Sequence, residues 1–172
     1  MLITSTITEQ PLAGQYKEMT YDAPSLSYEW TWVKFEDENY NENYGQFRGS
    51  PKKVALSLKH AKCYVLTSDY LYEIDCQDPS NYKVRDYWDC GSVITNLTVS
   101  PNGDIILADD YTIFAIGHSF DEKTTLESPI PMDLIEFQQW DNQRLHISCF
   151  EFLTDIKVEL KLDAITMTIS KK

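Results

Sequence analysis

An internal repeat constrains the fold of this chain more than any other feature of its sequence. Residues Ala55–Ile74 align without a gap on residues Asn96–Ala115, so that Tyr64-Val65-Leu66 falls on Ile105-Ile106-Leu107. Each copy has the pattern of a strand, a tight turn, a second strand, a two-residue polar break and a third strand. A fainter third copy begins near Ile135. The repeat therefore predicts successive antiparallel hairpins.

Outside the repeat, apolar and polar residues alternate, which is the side-chain period of a strand. Tyr28, Trp30 and Trp32 share one face of a candidate strand near the N-terminus. The C-terminus contains two more candidates, at residues Ile156–Leu162 and Ile165–Ile169. These patterns extend the prediction of strands to most of the chain.

The predicted fold is all-β, with antiparallel meander sheets and at most one or two short helices. We expect a strand content of about 40% or more, against about 20–25% in an average domain. The best helix candidate is the segment Met132–Trp140, which would form two turns at most. The residues expected in the core are apolar positions of the repeated hairpins: Leu56, Leu58, Leu97, Val99, Ile105 and Leu107.

The turn of the second copy has the sequence Ser100-Pro101-Asn102-Gly103, in which Asn-Gly suits the positive φ values of a two-residue hairpin turn. Together with their strands, residues 55–116 resemble the blade repeats of β-propellers of the WD40 or six-bladed type, which recur about every 40–45 residues. The chain departs from that family because it has no Trp-Asp dipeptide at a third strand, and residues 1–50 do not repeat the pattern. The resemblance implies a propeller-like stack of meanders or a β-sandwich. The length of 172 residues predicts that residues 1–172 form a single domain.

The acidity of the chain narrows the class of partner. The net charge of the 172 residues is −12 at pH 7. Nucleic acids and anionic membranes attract Lys and Arg, so we expect neither as a partner. The N-terminal sequence lacks the pattern of a signal peptide, and no segment reaches the roughly 20 apolar residues of a membrane span. We expect a cytoplasmic protein with a basic protein partner; the alternative is that acidity serves solubility alone.

Residue types that carry chemistry are present but do not form a known motif. The four cysteines have no C-x-x-C spacing and no paired His, which predicts reduced, structural thiols at Cys63, Cys76, Cys90 and Cys149. A dyad of Cys63 and His60 would lack a third, orienting group. There is no glycine-rich phosphate loop and no Gly-x-Ser-x-Gly elbow. We therefore expect no catalytic residues, no metal site and no cofactor, and a protein that is not an enzyme.

One acidic run combines carboxylates with tyrosines. Asp37, Asn39 and Asn41 occupy positions one, three and five of a calcium loop, but Glu42 and Arg48 stand where an EF-hand needs Gly and a bidentate Glu. The run is instead predicted to bind a basic protein, because carboxylates steer the encounter and tyrosines supply rigid contact area. The alternative is a solvated loop. The predicted partner-binding residues are Glu36, Asp37, Glu38, Tyr40, Glu42 and Tyr44.

The chain has the profile of a known class of inhibitor. In its small size, its acidity, its many aromatic residues and its lack of a catalytic motif, it resembles the immunity proteins that bacteria keep beside polymorphic toxins, many of which are basic nucleases. This resemblance spans the whole chain without a diagnostic motif, so it assigns no residue a role. It implies a cytosolic inhibitor that neutralises a basic toxin domain. The alternatives are a propeller-like interaction module of a larger assembly and an enzyme whose residues converge only in three dimensions.

Overall fold

The computed structural model of the chain describes residues 1–24 and 27–172. Strands make up 55% of the chain and helices 4%, which confirms the all-β prediction. Within the described residues, one four-residue helix, α1 (Tyr87–Cys90), and one 3₁₀ helix (Phe120–Glu122) accompany the strands. The strands are β1 (Leu2–Thr8), β2 (Lys17–Tyr21), β3 (Trp30–Asp37), β4 (Glu42–Arg48), β5 (Pro51–Ser57), β6 (Lys62–Thr67), β7 (Leu71–Asp75), β8 (Tyr82–Arg85), β9 (Asn96–Val99), β10 (Ile105–Ala108), β11 (Ile113–Ile116), β12 (Thr124–Leu126), β13 (Met132–Asp141), β14 (Arg144–Glu151), β15 (Ile156–Asp163) and β16 (Thr168–Lys171).

The strands of the described residues form four sheets of four strands each. Three sheets are meanders in which strands adjacent in sequence are paired antiparallel: β5 to β8, β9 to β12 and β13 to β16. The N-terminal sheet differs, because its order is β1-β3-β4-β2 and β2 runs parallel to β4. The three meanders thus coincide with the region of the sequence repeat, and the N-terminal sheet with the region that does not repeat.

Residues Met1–Gly91 form one compact unit, which contains the first two sheets. Apolar residues of both sheets share one cluster, and its centre is aromatic. The ring of Tyr21 stacks on that of Phe47 at a centroid distance of 4.4 Å, and Tyr72 meets Phe47 edge to face at 5.0 Å. The hydroxyl of Tyr72 accepts a hydrogen bond from the backbone N–H of Arg48 at 3.0 Å, so its polar end is satisfied as well.

Residues Ser92–Lys172 form the second compact unit, which contains the other two meanders. Its core is aliphatic, with buried Ile and Leu side chains from both sheets. One side chain also joins these sheets by hydrogen bonds: Nδ2 of Asn96 donates to the carbonyl of Ile135 at 2.7 Å, and Oδ1 accepts from the backbone N–H of Phe137 at 3.0 Å. Asn96 thereby satisfies backbone groups of β13.

The segment Met132–Trp140, expected as the best helix candidate, lies in β13, so that expectation was wrong. Two bulges interrupt its pairing with β14, and Leu134 has a left-handed backbone with φ of 49°. A bulge adds a residue to one strand and shifts the face that later side chains occupy. The buried residues Met132 and Ile135 are consequently three positions apart, a spacing that also fits a helix.

The core prediction is confirmed for three of its six positions, which are buried: Leu97, Ile105 and Leu107. Leu56 and Val99 are partly buried. Leu58 is exposed, so its assignment to the core was wrong. The physical reason is that β5 ends at Ser57, and Leu58 belongs to the following turn rather than to the alternation of the strand.

The repeat predicts the β6–β7 and β10–β11 hairpins, but its ungapped alignment of these two hairpins is wrong by one residue. Leu66 pairs with Leu71 at the end of the β6–β7 hairpin, and Ala108 pairs with Ile113 at the same position of the β10–β11 hairpin. Leu66 therefore corresponds to Ala108, whereas the ungapped alignment matches it with Leu107.

The turn between β9 and β10 is wider than a two-residue hairpin turn. The backbone N–H of Ser100 donates to the carbonyl of Asp104 at 2.8 Å, and the N–H of Gly103 donates to the carbonyl of Ser100 at 2.9 Å. Gly103 has a φ of 85°, and Asn102 does not share this left-handed conformation. The glycine of the Asn-Gly pair is therefore the residue that the turn requires.

Candidate functional site

The acidic run predicted to bind a partner forms the hairpin of β3 and β4, which brings all six predicted residues together. Glu36 and Asp37 end β3, and Glu42 begins β4. Tyr40 and Glu38 lie in the connecting turn, and both are exposed. We name residues 36–44 the acidic hairpin.

The carboxylate of Asp37 fixes the conformation of the turn. Its Oδ1 accepts hydrogen bonds from the backbone N–H groups of Asn39 at 2.8 Å and Asn41 at 3.0 Å, while Oδ2 accepts from Nδ2 of Asn41 at 3.0 Å. The side-chain hydrogen bond from Asn41, together with the backbone bonds, holds the pKa of Asp37 below its ordinary value. The carboxylate is therefore ionised at neutral pH and already bound within the turn, which leaves it poorly suited to ligate calcium.

Tyr40 stands at the tip of the acidic hairpin. Its side chain is 78% exposed, and its backbone is left-handed with φ of 62°. Its backbone N–H donates to the carbonyl of Asp37 at 2.9 Å. A large aromatic side chain is thus held outside the protein on a hydrogen-bonded turn, although Asn or Gly would fit this backbone conformation with less strain.

Tyr44 was also expected to present an exposed ring, and this expectation was wrong. The side chain is buried, at 8% exposure, and its ring lies 4.8 Å from the ring of Tyr16. Burial raises the pKa of Tyr44, and the nearby Glu42 carboxylate raises it further. The ring of Tyr44 therefore packs within the protein and is not accessible to a partner.

The charge of Glu42 is already paired within the protein. Its Oε1 lies 2.6 Å from Nζ of Lys34 on the neighbouring strand. The hydrogen bond between them lowers the pKa of Glu42 and raises the pKa of Lys34. Glu38 lies 3.5 Å from the amino group of Met1 and its side chain stays largely exposed. The outward negative charge of the acidic hairpin therefore comes mainly from Glu36, Asp37 and Glu38.

A cavity of about 680 Å³ adjoins the acidic hairpin, within residues Met1–Gly91. Asp37, Glu42 and Tyr44 line it on the hairpin side, and Asp78 lines it from the β7–β8 connection. Its walls also contain apolar side chains, and two positively charged groups, Lys17 and the amino group of Met1. Because Glu42 is paired with Lys34 and Asp37 is bound within the turn, the carboxylates of the cavity are already engaged by the protein itself.

The cysteine and histidine candidates do not form a reactive site. Cys63 is fully buried in the core of residues Met1–Gly91, and burial raises the pKa of its thiol, with the neighbouring Cys76 adding to the effect. A thiol needs a lowered pKa to act as a nucleophile, so Cys63 lacks the property that a dyad with His60 would require. All four cysteines are buried and carry thiols without a disulfide bond, as the sequence predicts.

Two further findings concern metals and membranes. In residues 1–24 and 27–172, no three side chains of His, Cys, Asp or Glu come together in a way that could hold a metal ion. Over the same residues, no helix has the length and apolar composition that a membrane crossing requires.

A second exposed aromatic feature, which was not predicted from the sequence, lies on α1. Asp86 caps this helix, because its Oδ1 accepts from the backbone N–H groups of Trp88 at 2.8 Å and Asp89 at 3.0 Å. Trp88 is 81% exposed, and its ring lies 4.9 Å from that of Tyr87. The signal was present, because Asp86-Tyr87-Trp88-Asp89 combines carboxylates and aromatic residues in the same way as the acidic hairpin.

Comparison with known proteins does not place the chain in a family. No family model matches it, and no curated protein matches it significantly in sequence.

Proposed function

We propose that this chain is an acidic, cytoplasmic protein-binding inhibitor of the immunity type, which neutralises a basic protein such as a toxin domain. The observation that carries the proposal is the exposed ring of Tyr40 at the tip of the acidic hairpin, on a turn whose conformation the Asp37 carboxylate fixes. Tyr is among the residues that most often dominate the energetics of protein interfaces.

The order of the turn supports the proposal on energetic grounds. Binding costs conformational entropy whenever a loop must be ordered at the interface. Here the turn is hydrogen-bonded before any partner arrives, through Asp37 and the carbonyl contact of Tyr40. Binding of a partner over Tyr40 would therefore cost little further conformational entropy in this turn. A solvated loop without a partner has no need of an exposed aromatic ring in a left-handed conformation.

Charge supports the choice of a basic partner. Glu36, Asp37 and Glu38 are consecutive carboxylates, and the chain as a whole carries −12. Such a surface raises the association rate with a basic protein and slows that with an acidic one.

The experiment that tests the proposal begins with affinity capture from cells of the source organism at low and high salt. The wild-type chain is compared with the variant Glu36→Gln, Glu38→Gln, Tyr40→Ser. We expect wild type to retain a basic protein at low salt and the variant to lose it. The captured protein is then purified, and its own activity is measured with increasing amounts of the wild-type chain. Inhibition at a one-to-one ratio would support the inhibitor role.

A control variant that loses the same number of carboxylates distinguishes the effect of the acidic hairpin from the effect of the net negative charge of the chain. The double variant Glu9→Gln, Asp141→Asn removes two exposed carboxylates outside the hairpin. It should capture the partner nearly as well as wild type. Equal losses in both variants would show that net charge alone drives capture, and binding without any effect on the activity of the partner would contradict inhibition.

A further inference from the structure

A second surface stands out on the unit of residues Ser92–Lys172, where two turns expose apolar side chains side by side. Phe152 and Leu153 belong to the β14–β15 turn, Ile156 follows them, and Tyr111 belongs to the β10–β11 turn. These side chains are 58%, 79%, 60% and 57% exposed, respectively. The rings of Tyr111 and Phe152 meet edge to face at a centroid distance of 6.3 Å. We name these four residues the apolar tip.

The turn that carries Tyr111 is fixed by a buried carboxylate. Oδ1 of Asp109 accepts from the backbone N–H groups of Tyr111 at 2.8 Å and Thr112 at 2.7 Å. The N–H of Asp109 in turn donates to the carbonyl of Thr112 at 3.1 Å. Asp109 itself is buried. The polar residue of this turn therefore points inward to hold the backbone, while the aromatic residue points to solvent.

The turn that carries Phe152 and Leu153 is held in a similar way. Oγ1 of Thr154 donates to Oε2 of Glu151 at 2.8 Å, and the backbone N–H of Thr154 donates to the carbonyl of Glu151 at 3.1 Å. The N–H of Phe152 donates to the carbonyl of Pro131 at 3.0 Å, which ties the turn to the chain before β13. Both halves of the apolar tip are thus ordered, and their exposure is a property of the folded chain.

The charges beside the apolar tip specify its occupant. Asp110 precedes Tyr111, and Glu151 and Asp155 flank the β14–β15 turn, while neither turn contains Lys or Arg. The nearest basic residue in sequence is Lys157 on β15. Clustered exposed aromatic and aliphatic side chains with a polar rim are typical of protein-binding surfaces. The acidic rim selects a protein whose contact surface is basic around an apolar centre.

Other occupants fit the charges less well. A second copy of this chain would meet the apolar tip through the same patch in a symmetric dimer, and that would bring Asp110, Glu151 and Asp155 against their own copies. An anionic membrane would repel the same carboxylates.

We propose that the apolar tip is a docking surface for a basic protein surface with an apolar centre. This inference rests on the proposed function only for the expectation that the partner is a basic protein.

The test uses the full chain, labelled with ¹⁵N, and a defined probe: a synthetic 15-residue peptide made of Lys and Leu. Two control peptides carry Ser in place of every Leu or Glu in place of every Lys. We expect the Lys–Leu peptide to shift the backbone amide signals of residues 110–112 and 151–156, and both control peptides to leave them unchanged.

Matched variants of the chain identify the contact. The variant Phe152→Ser, Leu153→Ser should weaken binding of the Lys–Leu peptide by roughly tenfold or more. The control Ile165→Ser removes an equally exposed apolar side chain from the β15–β16 turn, at the other end of β15, and should bind as wild type does. Both variants must give the dispersed spectrum of the folded protein, so that a loss of binding reports the contact itself.

The outcomes separate this inference from the proposed function. Shifts at the acidic hairpin alone would overturn the docking role of the apolar tip and leave the proposed function intact. Shifts at the apolar tip alone would support the docking role and contradict the hairpin as the contact site. Equal binding of the Glu–Leu peptide would overturn the basic chemistry of the occupant. An absence of any shift would overturn the docking role of the apolar tip and leave the proposed function, which capture of the natural partner tests, unaffected.

Discussion

The ring of Tyr44 packs on the ring of Tyr16, with centroids 4.8 Å apart and planes inclined by 44°. The two tyrosines of the acidic hairpin therefore differ in exposure, because this contact covers Tyr44 while Tyr40 stays exposed at the tip. The two residues are four positions apart in sequence, yet one supports the unit of residues Met1–Gly91 and the other faces solvent.

The two tyrosines should therefore differ in their effect on stability. Tyr44→Ala removes a buried ring and should lower the free energy of unfolding by about 2–4 kcal/mol. Tyr40→Ala removes an exposed ring and should change it by no more than about 0.5 kcal/mol. Urea unfolding followed by circular dichroism would measure both. Similar losses in the two variants would mean that the ring of Tyr40 packs against the protein.

Gly45 is expected to tolerate no side chain. A Cβ atom built at this position would lie 2.6 Å from Cε2 of Phe47 and 2.8 Å from Cε2 of Phe35, and both rings are buried in the core. Gly45→Ala should therefore destabilise the protein by about 1–3 kcal/mol through overpacking. In the control Gly117→Ala the nearest atom to the added Cβ would be Oε2 of Glu122, at 3.2 Å, so this change should cost much less. Differential scanning calorimetry of the two variants would compare them, and equal melting temperatures would contradict the packing argument.

The strands were predictable because most of them carry an alternating pattern, and the register of the repeat was not predictable because its central strands lack that pattern. All four residues of β10 are buried, and β6 is buried in all but its first residue. A strand that is buried on both faces loses the alternation that fixes its register. Shifting the alignment of Leu66 by one residue therefore still matches apolar residues with apolar residues, so the hydrophobic pattern does not reveal the error.

The composition of the acidic hairpin was predictable, whereas the role of each of its residues depends on contacts distant in sequence. Tyr44 is buried by Tyr16, which precedes β2, and Glu42 is neutralised by Lys34 across the β3–β4 pair. The meeting of the two turns in the apolar tip had no local signal, because Tyr111 and Phe152 are distant in sequence. A pattern within one segment cannot predict a surface that two segments build together.

The hydrogen bonds of Asp37 predict a dependence of stability on pH. Because the pKa of Asp37 is lowered in the folded protein from its ordinary value of 3.8, its ionised form stabilises the fold above that pH. This contribution is lost as the pH falls through the lowered pKa. Asp37→Ala should thus be less stable than wild type at pH 7, and the gap between their urea midpoints should narrow below pH 3.8. A gap that stays constant down to pH 2 would show that the ionised carboxylate is not the cause.

The buried thiols should be unreactive in the native protein. Burial, with the nearby Asp75 carboxylate, raises the pKa of Cys76 to about 12, and burial also raises the pKa of Cys149. At pH 8 a thiol-specific chromogenic reagent should modify native protein slowly and all four cysteines at once after denaturation. Two or fewer modified cysteines after non-reducing denaturation would indicate disulfides.

The kinetics of partner binding should separate the charges of the acidic hairpin from its anchor. Glu36→Gln with Glu38→Gln should slow association several-fold at low salt and little at high salt, because steering acts over distances that ions screen beyond about 10 Å at 0.1 M. Glu42→Gln should have a smaller effect, since Lys34 already lies 2.6 Å from that carboxylate. Tyr40→Ala should instead speed dissociation by roughly 30-fold, which corresponds to about 2 kcal/mol for an anchor residue. Surface plasmon resonance with the purified partner at two salt concentrations would measure all three.

Two outcomes would contradict these assignments. If Tyr40→Ala leaves the dissociation rate unchanged, the ring of Tyr40 is not the anchor. If Glu42→Gln slows association as much as the other carboxylate changes do, Lys34 does not neutralise Glu42.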